Sequence, residues 1–167
     1  MGLVGPAGSG DGVTGPLLAL AAFLGMEAVS YGAHRWVMHG FAMGWHRSHH
    51  RPAVGRFEKN DLFPLCFSAV GVALCALATM GPAIAPLLWV AGGITAYGAL
   101  YMFVHDVYIH ERLPVRPPRL RYLDWLRESH RIHHLFGGEP YGMLLPLVPR
   151  SLRERARSST REARIRL

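Results

Sequence analysis

All ten histidines of the chain fall into four short motifs. Two motifs are pairs spaced by five residues, and two are triplets in which the later histidines follow the first by three and four residues. The order is the same in both halves of the chain: a pair, then a triplet. The pairs are His34 with His39 and His105 with His110; the triplets are His46, His49, His50 and His130, His133, His134. Neutral imidazole is a common ligand of Zn, Cu, Fe and Ni, so the repeated pattern indicates a metal site.

The spacing within the triplets suits an α-helix, because residues three or four positions apart share one face. The five-residue spacing of the pairs does not, since it separates two side chains by about 140° on an ideal helix. We therefore expect one of two arrangements. Either the helix ends or distorts around His34 and His39, as Gly40 would allow, or each pair reaches around a metal cluster from two sides.

Ten imidazoles exceed the needs of one ion and suit two. A zinc hydrolase normally uses three protein ligands and a water, whereas two redox-active ions in an apolar protein favour oxygen chemistry. Haem is the main competing cofactor, but it takes isolated histidines on facing helices rather than adjacent ones at helix ends. Chance packing and weak surface metal binding do not explain a pattern that includes every histidine. Cys66 and Cys75 are too few for an iron–sulfur cluster and are interpreted as small apolar side chains.

The composition indicates an integral membrane protein. Of the 167 residues, 50% are hydrophobic and 17% are charged, and the mean hydropathy is +0.16. The length favours a single domain. All 18 basic residues lie within 35–59 or 112–166. Loops that face the cytoplasm collect Lys and Arg, so this segregation is typical of a membrane protein.

Three segments are long and apolar enough to cross a bilayer, which takes a helix of about 20 residues. The predicted spans are 16–37, 63–80 and 85–107. The last two form a hairpin, because Gly-Pro and Ala-Pro pairs within 80–86 interrupt the helix. The predicted fold class is therefore all-α, an integral membrane helical bundle with a histidine-rich di-metal site.

The segments outside the spans complete the predicted domain organisation. Residues 1–15 are expected to form a flexible leader, 16–149 the membrane domain and 150–167 a basic C-terminal tail. Residues 141–149 are too short to cross and are expected to be re-entrant or interfacial. Glu27 interrupts the first span. An acid at such a position either has a function or makes a hydrogen-bonded packing contact, and the sequence leaves both open.

Three crossings place both triplets on one face of the membrane, together with every Lys and Arg. The positive-inside tendency makes this face cytoplasmic. We therefore expect a multi-pass protein of the cytoplasmic (plasma) membrane, with the histidine cluster and the C-terminus on the cytoplasmic side.

The four motifs, in this order and setting, resemble the fatty-acid-hydroxylase superfamily of membrane non-haem di-iron enzymes. The stretches "GMEAVSYGAHRWVMHGFAMGWHRSHH", "FEKNDLF", "TAYGALYMFVHD" and "HRIHH" are similar to the bacterial carotenoid β-ring 3-hydroxylases. The resemblance covers about residues 25–135. Its specific part is the "MHG…GWHRSHH" and "FEKND" stretches, because histidine motifs alone define only the superfamily.

The resemblance implies that the ten histidines hold two iron ions that use O2 to hydroxylate C3 of carotenoid β-rings. β-Carotene would become β-cryptoxanthin and then zeaxanthin. Which histidine binds which iron stays open. Asp106, inside a motif, is the leading candidate for a partner that orients an imidazole, ahead of Asn60, Asp61 and Asp124. Each of these four could equally be a helix cap or a surface ion pair.

The electrons for this reaction must come from outside, since the sequence carries no flavin or nicotinamide fingerprint. The resemblance implies reduced ferredoxin. Seven Arg from Arg150 to Arg166 would suit an acidic carrier and equally suit anionic membrane lipid. Nucleic-acid binding is not expected, because membrane topology accounts for the positive charge.

Three other functions remain as alternatives. The nearest is a hydroxylase or desaturase of another membrane lipid, a fatty acyl chain or a sterol; the short chain and "FEKND" favour the carotenoid. A haem electron carrier would show a strong Soret band. A histidine-rich metal transporter would need polar groups through the membrane, and residues 62–104 carry no charge.

Overall fold

The computed structural model describes residues 11–51, 55 and 57–165, and every regular element in this part of the chain is helical. The α-helices are α1 (Asp11–Gly32), α2 (Met43–His46), α3 (Leu62–Ala78), α4 (Leu87–Met102), α5 (Arg121–Phe136) and α6 (Arg150–Ile165). A first π-helical segment, Ala33–Phe41, continues α1, and a second, Phe103–Ile109, continues α4. A 3₁₀ turn, Lys59–Asp61, precedes α3. The all-α prediction is confirmed.

Three of the described helices are long and apolar enough to cross a membrane. They are Gly12–Phe41, Lys59–Ala78 and Leu87–Ile109. Turns fill the interval between α3 and α4, where the two Pro-containing pairs predict a hairpin. The prediction of three spans is therefore confirmed, and the chain is a membrane protein.

The boundary of the first span differs from the prediction. Helix α1 begins at Asp11 and contains Pro16, so a start at Pro16 is wrong. Proline removes one helical hydrogen bond, and this loss falls close to the exposed beginning of α1. The predicted flexible leader overlaps α1 at 11–15, and residues 1–10 lie outside the described residues.

Helix α4 packs between α1 and α3. The contact with α1 is close at Gly93, where a Cβ atom would lie 2.2 Å from the carbonyl oxygen of Ala19. Glycine at this position lets the two backbones approach, which is common between membrane helices. The third span is thereby fixed against the first, and the ends of both spans carry histidine pairs.

Helix α5 carries the second triplet and packs against the second π-helical segment. Leu126 of α5 is buried with Val104 and Met143. The helix ends at Gly137, whose positive φ of 66° reverses the chain and closes a hydrogen bond from its N–H to the carbonyl of His133. Helix α6 then packs back on α5 through Ala156.

Candidate metal centre

The first histidine pair lies within the first π-helical segment, and the second pair consists of His105 inside the second segment and His110 directly after it. A π-helix bonds each N–H to the carbonyl five residues earlier, so residues five apart become neighbours. The His110 N–H accordingly donates to the His105 carbonyl at 2.9 Å, and the two ring centroids are 4.6 Å apart. The rings of His34 and His39 are 5.1 Å apart. The helix distortion predicted for the first pair is confirmed, in the form of a π-helix rather than a helix end.

Gly40 interrupts the first π-helical segment directly after the pair. Its φ of −103° and ψ of −123° are not helical. The kink turns the chain into α2, which ends at His46. The first triplet is thus folded back towards the first pair, and the ring centroids of His34 and His46 are 5.0 Å apart.

The first of two histidine groups consists of His34, His39, His46 and His133, whose ligating ring nitrogens all lie within 4.8 Å of one another. The Nε2 atoms of His34 and His46 are 3.2 Å apart, and those of His39 and His133 are 3.0 Å apart. His50 lies against this group, with its Nε2 3.1 Å from that of His46. The group is suited to one metal ion.

The second group consists of His49, His110, His130 and His134, again with ring nitrogens within 4.8 Å of one another. The Nε2 atoms of His110 and His134 lie 3.0 Å and 2.9 Å from that of His130. His105 joins them through its Nε2, which is 3.1 Å from the Nε2 of His49. The ten histidines therefore divide into two sets of five.

The distances between the nitrogens fit shared metal ions. Two nitrogens about 2.1 Å from one ion are about 3.0 Å apart at a right angle and about 3.4 Å apart at a tetrahedral angle. The Nε2–Nε2 distances between neighbouring histidines run from 2.9 to 3.4 Å. The donor set and its spacing thus suit two ions ligated by imidazole.

Hydrogen bonds at Nδ1 leave Nε2 free to bind a metal. The Nδ1 of His34 donates to the carbonyl oxygen of Tyr141 at 2.9 Å, and that of His133 donates to the carbonyl oxygen of Gly138. A neutral ring with its proton on Nδ1 presents a lone pair at Nε2. Facing lone pairs of this kind are stabilised by a cation between them.

Burial keeps these imidazoles neutral. It lowers the pKa of His46 and His50 to about 4, and the pKa of His110 and His134 to about 3. It also lowers the pKa of His130, and the neighbouring imidazoles act in the same direction. Imidazole binds metals in its neutral form, so the rings are ready to ligate at pH 7.

Two of the four predicted partner residues contact a histidine. Asn60 Oδ1 accepts a hydrogen bond from His46 Nδ1 at 2.7 Å, and Asp106 Oδ1 accepts one from His105 Nδ1 at 3.0 Å. Asp61 instead forms an ion pair with Arg112 at 2.7 Å. Asp124 accepts a hydrogen bond from the hydroxyl of Tyr108 at 2.9 Å, away from the rings.

Glu27 makes a packing contact inside the membrane domain. Its carboxyl oxygens accept a hydrogen bond from the Tyr97 hydroxyl at 2.6 Å and bonds of 2.9 to 3.2 Å from the backbone N–H groups of Met143, Leu144 and Leu145. Of the two interpretations of this acid, the hydrogen-bonded one matches the geometry. The segment 141–149 therefore meets α1 midway along the first span.

This segment supplies contacts that the sequence did not indicate. The ring of Tyr141 packs against the rings of His34, His39 and His133, at centroid distances of 5.4, 5.2 and 5.5 Å. Glu139 accepts hydrogen bonds from Tyr31 and Arg35. Tyr141 and Gly138 orient histidines through their main-chain carbonyls, and a main-chain contact does not depend on residue type, so the sequence cannot indicate it. The side chains of Tyr141 and Glu139 lie outside the histidine motifs, so nothing in the sequence marked them as part of the site.

Two histidine groups at the ends of apolar helices suit a metal-dependent enzyme of the membrane. The chain belongs to the fatty acid hydroxylase family, whose model matches residues 19–152. A hydroxylase of this family is an oxidoreductase that depends on a metal.

Within this family, the chain is similar to proteins named beta-carotene hydroxylases. The chain is 44% identical over 124 residues to a beta-carotene hydroxylase of Pantoea ananas, covering 74% of this chain and 70% of that protein. It is 41% identical over 132 residues to a beta-carotene hydroxylase of a Paracoccus species, covering 77% and 80%. It is also 40% identical over 136 residues to a chloroplastic beta-carotene 3-hydroxylase of Haematococcus lacustris, covering 77% of this chain and 42% of that longer protein. No solved structure matches the chain.

Proposed function

We propose that the protein is a carotenoid β-ring 3-hydroxylase that converts β-carotene to β-cryptoxanthin and then to zeaxanthin. The single observation that carries the proposal is that two largely buried histidine groups lie side by side at the ends of apolar spans. A lipid-soluble substrate in the bilayer would present a terminal ring at this level. The names of the relatives support the choice of carotenoid and of C3.

The ten histidines are the proposed ligands of two iron ions. One ion is held by His34, His39, His46, His50 and His133, and the other by His49, His105, His110, His130 and His134. The separation of the rings into two sets at ligand spacing supports this division. Bound iron would supply the redox chemistry that uses O2 to hydroxylate an unactivated C–H bond.

The side chains of this protein bind, orient and shield the two ions. Asn60 and Asp106 hold the Nδ1 protons of His46 and His105, which directs Nε2 of each ring into its group. His133 is fully buried and the ring of Tyr141 covers the first group, so bulk water is kept from this side. Excluding water from the bound ions would limit side reactions at the site.

The electrons come from a separate carrier in this proposal, and reduced ferredoxin is the expected donor. The seven Arg from Arg150 to Arg166 and the other basic residues outside the spans would suit an acidic protein. The same charge favours a cytoplasmic position of these residues at the plasma membrane, because cytoplasmic loops collect Lys and Arg. Helix α6 is also suited to lie on anionic lipid.

Pigment analysis tests the proposed function. Cells that make β-carotene should form β-cryptoxanthin and zeaxanthin when they express this chain, and neither when they carry an empty vector. A carotenoid is about as long as the bilayer core is thick, roughly 30 Å, so one encounter reaches one ring. β-Cryptoxanthin should therefore appear first. Unchanged carotene together with a hydroxylated or desaturated acyl lipid would overturn the proposal.

A further inference from the structure

A short loop between the first triplet and α3 contacts histidines of both groups. We call residues 58–61 the 58–61 loop. Its backbone is held by two internal hydrogen bonds: the Glu58 N–H donates to the Asp61 carboxylate at 2.9 Å, and the Asp61 N–H donates to the Glu58 carbonyl at 3.0 Å. The loop is thus a closed turn whose side chains have fixed directions.

The first contact is with the first histidine group. Asn60 is buried, and its Oδ1 accepts a hydrogen bond from Nδ1 of the buried His46 at 2.7 Å. This bond places the proton of His46 on Nδ1 and the lone pair on Nε2. His46 Nε2 lies 3.2 Å from that of His34 and 3.1 Å from that of His50, at the centre of the group.

The second contact is with the second group. The Oε2 atom of Glu58 is buried and has no hydrogen-bond partner among the described residues, and it faces Nδ1 of His49 at 3.7 Å. A buried carboxylate oxygen without a partner is costly. A charge facing the Nδ1–H group stabilises the orientation in which Nε2 of His49 points into its group.

The loop is also connected indirectly to His105 of the second group, through two ion pairs made by Arg112. Asp61 takes two hydrogen bonds from the guanidinium of Arg112, at 2.7 and 2.8 Å. The same guanidinium donates to Asp106 at 3.2 Å, and Asp106 accepts from Nδ1 of His105 at 3.0 Å. The loop is thereby connected to the second π-helical segment.

We infer that the 58–61 loop is one positioning element for both histidine groups, with Asn60 orienting His46, Glu58 orienting His49, and Asp61 orienting His105 through Arg112 and Asp106. The inference rests on the proposed function, since it takes these histidines as metal ligands. Because one closed turn bears on ligands of both ions, it sets the orientation of the two ligand sets relative to each other. Loss of a partner that orients a ligand lowers metal affinity by about 10- to 100-fold.

Metal binding to the purified full-length protein tests the inference without any turnover. The probe is Zn²⁺, titrated against a competing chelator, and the variants are Asn60→Ala and Glu58→Ala. Each variant should bind one of the two Zn²⁺ ions about 10- to 100-fold more weakly and keep the other near wild-type affinity. Lys59→Ala is the matched control, because Lys59 lies in the same turn with an exposed side chain. It should bind both ions as the wild type does.

Histidine ¹⁵N NMR separates positioning from simple structural support. In the Zn²⁺-free protein, Asn60→Ala should shift the His46 signal from the Nδ1–H form to a mixture of tautomers. Asn60→Asp, which keeps an oxygen acceptor, should restore the Nδ1–H form and most of the affinity. Wild-type affinity and an unchanged His46 tautomer in Asn60→Ala would overturn the role of Asn60.

Glu58→Ala provides an independent test if Asn60→Ala does not fold, since Glu58 is half-buried. Wild-type affinity for both ions in Glu58→Ala would overturn the inference that the loop serves the second group. Weakened Zn²⁺ binding in the variants supports the inference even where the wild type gives no hydroxylated carotenoid. Absence of hydroxylated carotenoid with the wild type overturns the proposed function but leaves the inference about the loop standing.

Discussion

His49 and His133 occupy the same place in the two triplets, and each lies in the group formed mainly by the other half of the chain. His49 is the one member of the second group from the first half, and His133 is the one member of the first group from the second half. This reciprocal exchange connects the first two motifs to the last two. Neither half of the chain completes a group alone.

The exchange predicts the effects of removing these two histidines. His49→Ala and His133→Ala should each lower bound iron from about two ions to about one per chain. Turnover should fall on the order of 100-fold or more, because loss of an orienting partner alone costs about 10- to 100-fold. The measurements are iron content after gel filtration and the rate of hydroxylation. Arg47→Ala, at an exposed position within the first triplet, should leave both unchanged.

Double variants test the division into groups. His49→Ala with His130→Ala removes two members of the second group and should still leave about one iron. His49→Ala with His133→Ala affects both groups and should leave almost none. Equal iron content in these two double variants would contradict the division.

Substitution of Glu27, which lies away from the histidine groups, is expected to lower the stability of the folded protein. Glu27→Ala leaves the backbone N–H groups of 143–145 without their acceptor, and each such loss costs about 1 to 3 kcal/mol. We expect unfolding in detergent to become easier by about 3 kcal/mol or more, with weaker iron retention because Tyr141 is released. Glu27→Gln keeps an oxygen acceptor and should cost less. Tyr97→Phe, which removes one donor only, should cost about 1 kcal/mol.

Thermal unfolding of the purified protein measures these differences. Glu27→Ala should have the lowest melting temperature. Glu27→Gln should melt at a higher temperature, and Tyr97→Phe at the same temperature as Glu27→Gln or above it. A Glu27→Ala variant with the melting temperature and the iron content of the wild type would show that this acid does not hold the segment.

The close contact between α1 and α4 predicts a difference between neighbouring glycines. Gly93→Ala places a Cβ atom 2.2 Å from the Ala19 carbonyl oxygen, so the two helices must move apart. Overpacking of this kind costs about 1 to 3 kcal/mol. Gly92→Ala is the matched control, because a Cβ atom there meets nothing within 4 Å. Equal melting temperatures for the two variants would contradict the packing of the spans.

The spans and the histidine motifs were predictable because both signals are local. Apolar length marks a membrane helix, and the triplets follow the α-helical repeat. The π-helical segments could not be predicted, since the helix propensities of the residues do not distinguish a π-helix from an α-helix. The five-residue spacing of His105 and His110 indicated only that an ideal helix would fail.

The assignment of histidines to groups depends on tertiary packing. His130, His133 and His134 share one helix, yet His133 lies in the first group and the other two in the second. This division follows from the way α5 lies across both pairs, which spacing does not determine. Likewise, the residue type of Asp61 suggested a partner for histidine, but its nearest charge proved to be Arg112.

The membrane orientation is a prediction of the charge pattern. A reporter fused after Leu167 should be cytoplasmic, and one inserted at Gly81, between α3 and α4, should be external. The reason is that Lys and Arg flank the histidine groups and are absent from the 79–86 turn. A cytoplasmic signal from the reporter at Gly81 would contradict the three-span topology.

The source of the oxygen in the product tests the central claim most directly. Iron-loaded protein in lipid vesicles with β-carotene, a reduced ferredoxin and ¹⁸O2 should yield zeaxanthin whose hydroxyl groups both contain ¹⁸O by mass spectrometry. The same reaction with ¹⁶O2 in H2¹⁸O should yield unlabelled hydroxyl groups. This pattern follows if the two histidine groups hold iron that inserts oxygen from O2 at C3. Hydroxyl groups labelled from water, or labelled acyl lipid with unchanged β-carotene, would contradict the account.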